Sequence, residues 1–199
     1  MGLIFIVGIR RSGTSVLREF VDMNKSVKGI EFESHDLWAA IDLKHFPRIF
    51  RKNRIVQKFI NFTIESFRNN GINKNYYGAK FALNPGVKAL EWRWLYKEFP
   101  EAKFIFIRRS TQATWFSYLK QDAKSFRGMI DVDSYVNLAD ELNDNFYRYC
   151  SHNPNKSMVV NYETLLKDPN RMMEDVFQLL GLKRDVDYSG LIKQPENKS

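Results

Sequence analysis

The run LIFIVGIRRSGTSVL, residues 3–17, decides the fold. Its first five residues are apolar and stop at Gly8, which is too short for a membrane span or a signal h-region and reads as a strand buried on both faces. Small residues then form a bend, and Val16, Leu17, Phe20 and Val21 recur at helical spacing. A strand, a glycine turn and a helix in that order bring free backbone N–H groups and the positive end of a helix to one point. A phosphate or sulfate group belongs there.

Outward from this unit, short apolar runs alternate with amphipathic stretches, the pattern of strand-helix-strand units. Strands are expected at residues 3–7, 27–32, 77–81, 103–107 and 158–161. Val87, Leu90, Trp94 and Leu95 mark a second helix face. Asn84-Pro85 and Asp168-Pro169 each set a capping side chain before a proline at the first helical position, and Gly181 ends the second of these helices. The expected architecture is α/β: a three-layer α/β/α fold, P-loop-like, around a central parallel sheet of about five strands. At 199 residues, with no internal repeat or linker, the chain is expected to form one domain over 1–199. Between residues 36 and 75 a helical pattern (Val56, Phe59, Ile60, Thr63, Phe67) lies among many lysines and arginines. This stretch, with residues 125–135, is expected to carry acceptor contacts.

A hydrophobic share of 44% excludes a disordered chain, and a net charge of +8 calls for an anionic partner. The charge alone admits nucleotide phosphates, an acidic glycan, nucleic acid or a membrane surface. Cys150 is the lone cysteine, so no internal disulfide forms, and His35, His45 and His152 are too scattered to suggest a metal. The expectation is a cytoplasmic protein without metal or transmembrane segment. A myristoyl group on Gly2 is excluded because Ile6 stands where Ser or Thr is required.

The glycine turn has the spacing of the nucleoside-triphosphate P-loop, but Thr14 replaces the lysine that holds the β- and γ-phosphates. The strand KFIFI (residues 103–107) also lacks a terminal acidic residue for magnesium. Both departures favour a metal-free anionic donor over ATP. RSGTS after an apolar strand resembles the 5′-phosphosulfate loop of the sulfotransferases that use 3′-phosphoadenosine 5′-phosphosulfate (PAPS). The resemblance implies a donor cradle of Arg10, Arg11, Ser12, Gly13, Thr14 and Ser15. In KFIFIRRSTQATWFSYL (residues 103–119) it implies that Arg109 and Ser117, eight apart, bind the 3′-phosphate; the family's usual Asp and Pro or Gly after this arginine are Ser110 and Thr111 here. A third segment, VVNYETLLKDP (residues 159–169), is similar to the family's stretch before the last helix. It implies Tyr162 near the donor, with Glu163 and Asp168 in local capping.

The cytosolic branch of the family carries Lys-Thr-His on the third strand, where this chain reads Lys80, Phe81 and Ala82. The protein-tyrosine, carbohydrate-type and bacterial branches, which the chain resembles more, use a glutamate just after strand two. Within GIEFES (residues 29–34) Glu31 takes that place with a one-residue gap; Glu33 shares its face of the strand, and His35 is a third base candidate. The resemblance implies Arg11 and Lys80 as cations on the transferring group. The expected activity is sulfonate transfer from PAPS to a hydroxyl or amine of a glycan, lipid or peptide. Two rivals are a P-loop kinase for a small metabolite and a non-enzymatic nucleic-acid-binding protein. The first requires the missing lysine and acid. For the second, no basic base-reading helix, zinc knuckle or RNA-binding aromatic strand motif stands out, so no nucleic-acid partner is expected.

Overall fold

A computed structural model describes residues 2–30, 58, 60–66, 68–83, 92–122 and 131–191. Five strands form one sheet: β1 (Gly2–Ile9), β2 (Val27–Gly29), β3 (Tyr76–Leu83), β4 (Lys103–Arg108) and β5 (Ser157–Asn161). Their order is β2-β3-β1-β4-β5, and every pairing is parallel. The helices are α1 (Thr14–Asp22), α2 (Arg93–Glu98), α3 (Thr111–Asp122), α4 (Val132–His152), α5 (Tyr162–Lys167) and α6 (Pro169–Leu180). Residues 60–66 are helical as well.

β1 lies at the centre because its run is apolar on both faces, with Ile4, Phe5, Ile6 and Val7 all at 0% exposure. Alternation divides the core into two layers. Phe5 and Val7 join Phe81, Phe104, Phe106, Trp92 and Phe146 in a largely aromatic layer that Ile60, Leu95 and the α4 residues Ala139 and Leu142 complete. Ring contacts lock this layer: Phe106 stacks on Phe146 at 4.5 Å, and Trp92 meets Phe106 edge-on at 5.0 Å. Ile4, Ile6, Ile105 and Ile107 point the other way, onto Leu17 and Val21 of α1, Leu165 of α5 and Met173, Val176 and Phe177 of α6. The three expected layers are present.

Each expected strand is found, and four of them run one to three residues further than the apolar pattern. β2 is assigned to Gly29, yet the Ile30 N–H still donates to the Gly78 carbonyl at 2.6 Å; residues 31 and 32 lie outside the described residues. So do Asn84-Pro85, Val87 and Leu90, while Leu95 is buried in the aromatic layer. Asp168 caps α6 by accepting from the Arg171 N–H at 3.1 Å, Pro169 follows at the first turn, and Gly181 ends the helix with φ 65°. Beyond it, residues 182–191 cross back over α1. Asn24 donates to the Lys183 carbonyl at 2.9 Å, and the buried Tyr188 hydroxyl donates to the Phe20 carbonyl, also at 2.9 Å.

The register sets Val7 beside both Phe81 and Phe106, so β1, β3 and β4 end at one level. From β1 the chain goes to the edge strand β2, returns through β3, and crosses over β1 to β4 on the other side, and this reversal leaves a crevice outside the carboxyl ends of the strands.

Candidate active site

The glycine turn occupies that crevice. The Arg10 N–H donates to the Leu83 carbonyl at 2.8 Å, and the Ser12 N–H donates to the Ile9 carbonyl at 2.9 Å, closing a tight bend at the end of β1. Arg11 has φ 74° and Gly13 φ 100°, so two residues of the bend hold backbone conformations that L side chains rarely adopt. Glycine is required at position 13 twice over, because a Cβ there would also strike the Tyr162 ring. At Gly8 a Cβ would lie 2.6 Å from both the Ile107 Cγ2 and the Ser12 Oγ.

α1 begins at Thr14 with no acidic residue in its first turn and no side-chain cap on its N-terminus. Ser12 is 1% exposed, and its Oγ is buried without a hydrogen-bond partner. Leaving such a group unpaired costs about 1–3 kcal/mol. An anion oxygen at the turn would satisfy it, so these residues fit a bound phosphate or sulfate.

The cations come from neighbouring elements. Lys80 leaves β3 at 4% exposure and donates to the Ser15 Oγ at 2.9 Å. Arg109, just past β4, donates to the Arg11 carbonyl at 3.2 Å and lies over the Tyr162 ring, 4.9 Å from its centroid. Arg11 turns its Nε to the Ser117 Oγ on α3, at 3.1 Å. Among the described residues, Arg11 and Arg109 therefore meet neutral groups and no carboxylate. Arg10 takes another course, over the Tyr118 ring of α3 at 5.6 Å.

Arg108 and Arg109 diverge as strand alternation requires. Arg108 is exposed and donates to the Tyr147 hydroxyl of α4 at 3.1 Å, a contact that raises its pKa above the ordinary guanidinium value. Arg109 alone turns back to the bend. The turn that follows holds together without Asp or Pro: the Ser110 N–H donates to Glu163 Oε1 at 3.0 Å, and Thr111 Oγ1 donates to Asp140 Oδ1 at 2.7 Å.

The structure thus brings Arg11, Ser12, Gly13, Thr14, Ser15, Lys80, Arg109, Ser117 and Tyr162 to one edge of the sheet. Arg10 starts at the same bend but points to Tyr118. Glu31, Glu33 and His35 lie outside the described residues. Asp168 caps α6 as expected, whereas Glu163 reaches across to Ser110, 53 residues away, and not to its own helix. No periodicity signals a bond of that span. Among the described residues, no three His, Cys, Asp or Glu side chains converge as metal ligands, and no helix is long and apolar enough to cross a membrane.

Residues 4–188 match the model of the sulfotransferase family. The protein-tyrosine sulfotransferase 1 of Danio rerio is 26% identical over 193 residues, covering 92% of this chain and 54% of that protein. The chain therefore spans about half the length of this curated relative. A sulfotransferase from Alicyclobacillus acidocaldarius superposes with a TM-score of 0.66 at 14% identity, over 99% of this chain and 87% of that one. A mouse sulfotransferase solved in complex with PAP has a TM-score of 0.51 at 15% identity, over 96% of this chain and 61% of that one. At these identities the two solved structures share the fold.

Proposed function

The chain belongs to the sulfotransferase family, and from that premise we propose that it moves a sulfonate group from PAPS to a hydroxyl or amine of an acceptor. One observation carries the reading. The turn at residues 8–15 and the arginine after β4 are joined directly, through Arg109 to the Arg11 carbonyl and Arg11 to Ser117. Two anion-binding elements on one edge suit a nucleotide with phosphate at both its 5′ and 3′ positions, and the mouse neighbour was solved with PAP. A nucleoside triphosphate has no use for the second element and wants the lysine that Thr14 replaces.

In this reading Ser12, Gly13, Thr14 and Ser15 hold the 5′ end through backbone N–H groups and hydroxyls, while Arg109 and Ser117 hold the 3′-phosphate, the arginine by its planar fork. Tyr162 flanks the same site. The donor supplies an activated sulfonate, whose bond to the phosphate oxygen breaks as the acceptor atom attacks sulfur in line. Arg11 and Lys80 neutralise charge on the sulfonate and on the departing phosphate oxygen. Glu31 takes the acceptor proton, with Glu33 and His35 as its alternates. The protein-tyrosine acceptor in the relative's name is one of three acceptor classes for this chain, beside a glycan and a lipid.

Glu31→Gln tests the chemistry apart from binding. Turnover should fall by a factor of about 100 to 10,000, the range for a lost general base, with PAP affinity unchanged. Full activity in that variant would remove Glu31 from the reaction and pass the role to Glu33 or His35.

A further inference from the structure

Three residues that local propensity disfavours meet where α1 ends. Asp22 closes the helix, and a carboxylate at that end opposes the helix dipole. Gly29 and Gly78 are direct partners in the ladder of β2 and β3, where glycine weakens a strand and marks the close approach of another group. The group is the Asp22 carboxylate. A Cβ on Gly29 would strike it, and one on Gly78 would stand 3.8 Å from Asp22 Oδ1. The two glycines therefore form a notch in the sheet, and Asp22 fills it. Arg18, one turn earlier on the same face of α1, lies 3.7 Å from Asp22 Oδ2 and steadies the carboxylate.

The four residues between α1 and β2 leave little slack. The buried Asn24 accepts from the Ser26 N–H at its side chain and from the Val27 N–H at its carbonyl, both at 2.9 Å. The start of β2 is fixed by this turn, and Asp22 meets the strand again at Gly29. On β3, two residues beyond Gly78, the buried Lys80 donates to Ser15, which shares its face of α1 with Arg18 and Asp22. One helix face thus sets the level of both strands. In the sequence Glu31 stands two residues beyond Gly29, as Lys80 stands two beyond Gly78.

We propose that Asp22 is a positioning residue for the catalytic base. Its carboxylate, keyed into the notch of Gly29 and Gly78, fixes the level at which β2 delivers Glu31 relative to Lys80. This rests on the reading of Glu31 as the base. Asp22 itself touches no donor: it lies eight residues from Thr14, about 12 Å along the helix.

The test needs no acceptor. Whole chain carrying carbon-13 in its glutamate carboxyl groups gives a Glu31 signal, assigned by its loss in Glu31→Gln. In the parent, PAP should move this signal, because its 5′-phosphate is a like charge beside the carboxylate. In Asp22→Ala the shift should fall to about half or less, since the field falls with distance. PAP affinity by calorimetry should stay within about twofold of the parent, as expected for a distant site. Asp22→Asn, which keeps the shape, should retain most of the shift. Thermal melting tests the notch: Gly29→Ala should lower Tm by overpacking, and adding Asp22→Ala should restore at least about half of that drop.

An undiminished shift in Asp22→Ala would overturn the proposal. So would a loss in Asp22→Asn as large as in Asp22→Ala, or additive drops in Tm for the double variant. If Asp22→Ala proves unfolded, Asp22→Ser takes its place. A Glu31 signal that PAP leaves unmoved in the parent, although PAP binds, would overturn the reading of Glu31 as well. A parental signal that moves, with an equal shift in Asp22→Ala, would overturn this proposal alone.

Discussion

The two edges of the sheet hold their cations at different depths. At the amino edge, Lys103 donates to the Asn155 carbonyl at 2.6 Å, and Lys74 donates to the Lys25 carbonyl at 2.7 Å. Lys156 there meets the Pro100 carbonyl at 2.9 Å and Glu101 at 3.1 Å, the latter 88% exposed. These contacts are exposed and solvated, and an ion pair of this kind contributes about 0–1 kcal/mol. At the carboxyl edge, Lys80 is buried, Arg11 and Arg109 bind only neutral groups among the described residues, and the Ser12 hydroxyl is buried without a partner. Positive charge held by neutral groups in partial burial keeps its field for an incoming anion. The comparison explains why a net charge of +8 indicates an anionic partner without locating it: both edges contribute to that sum, and their burial separates them.

The largest effect that could break this comparison lies at Gly13. Gly13→Ala places a side chain at φ 100° and against the Tyr162 ring, so backbone strain and overpacking add. We expect a loss of about 2–5 kcal/mol in denaturant unfolding, together with loss of PAP binding. A variant as stable as the parent would mean that the turn tolerates another conformation and that the carboxyl edge is not pre-set. At the other extreme, Lys156→Ala at the amino edge should cost less than about 1 kcal/mol and leave PAP affinity unaltered. A clear loss of PAP binding there would erase the distinction between the edges.

Much of the fold was legible in the sequence for a physical reason. Central strands of a parallel sheet are buried on both faces, so β1 and β4 read as unbroken apolar runs, and Asp168-Pro169 and Gly181 punctuate α6 chemically. α4 is less legible, although Tyr135, Ala139, Leu142 and Phe146 follow a helical period. Asn143 and Asn145 interrupt that stripe and are nevertheless buried, Asn145 accepting from Arg93 at 3.0 Å.

At the site, the turn was legible because its glycines and hydroxyls are consecutive, and Arg109 was told from Arg108 by the family's spacing back to Lys103 and eight residues forward to Ser117; the structure turns the two arginines to different partners. The bond from Glu163 to Ser110 and the wedge of Tyr162 against Gly13 join residues far apart in the chain, and composition carries no trace of either. Glu31 and Glu33 share a face of their strand pattern, so alternation gives no means of choosing between them.

The central claim is that the carboxyl edge binds a nucleotide through both its 5′ end and its 3′-phosphate. Calorimetric titration of PAP and of magnesium-ATP into the parent chain and Arg109→Ala tests it most directly. The account predicts that the parent binds PAP more tightly than magnesium-ATP, and that Arg109→Ala weakens PAP by about 10- to 100-fold, the scale of one or two charge-assisted contacts. Tighter binding of magnesium-ATP, or an Arg109→Ala variant that binds PAP as the parent does, would contradict it.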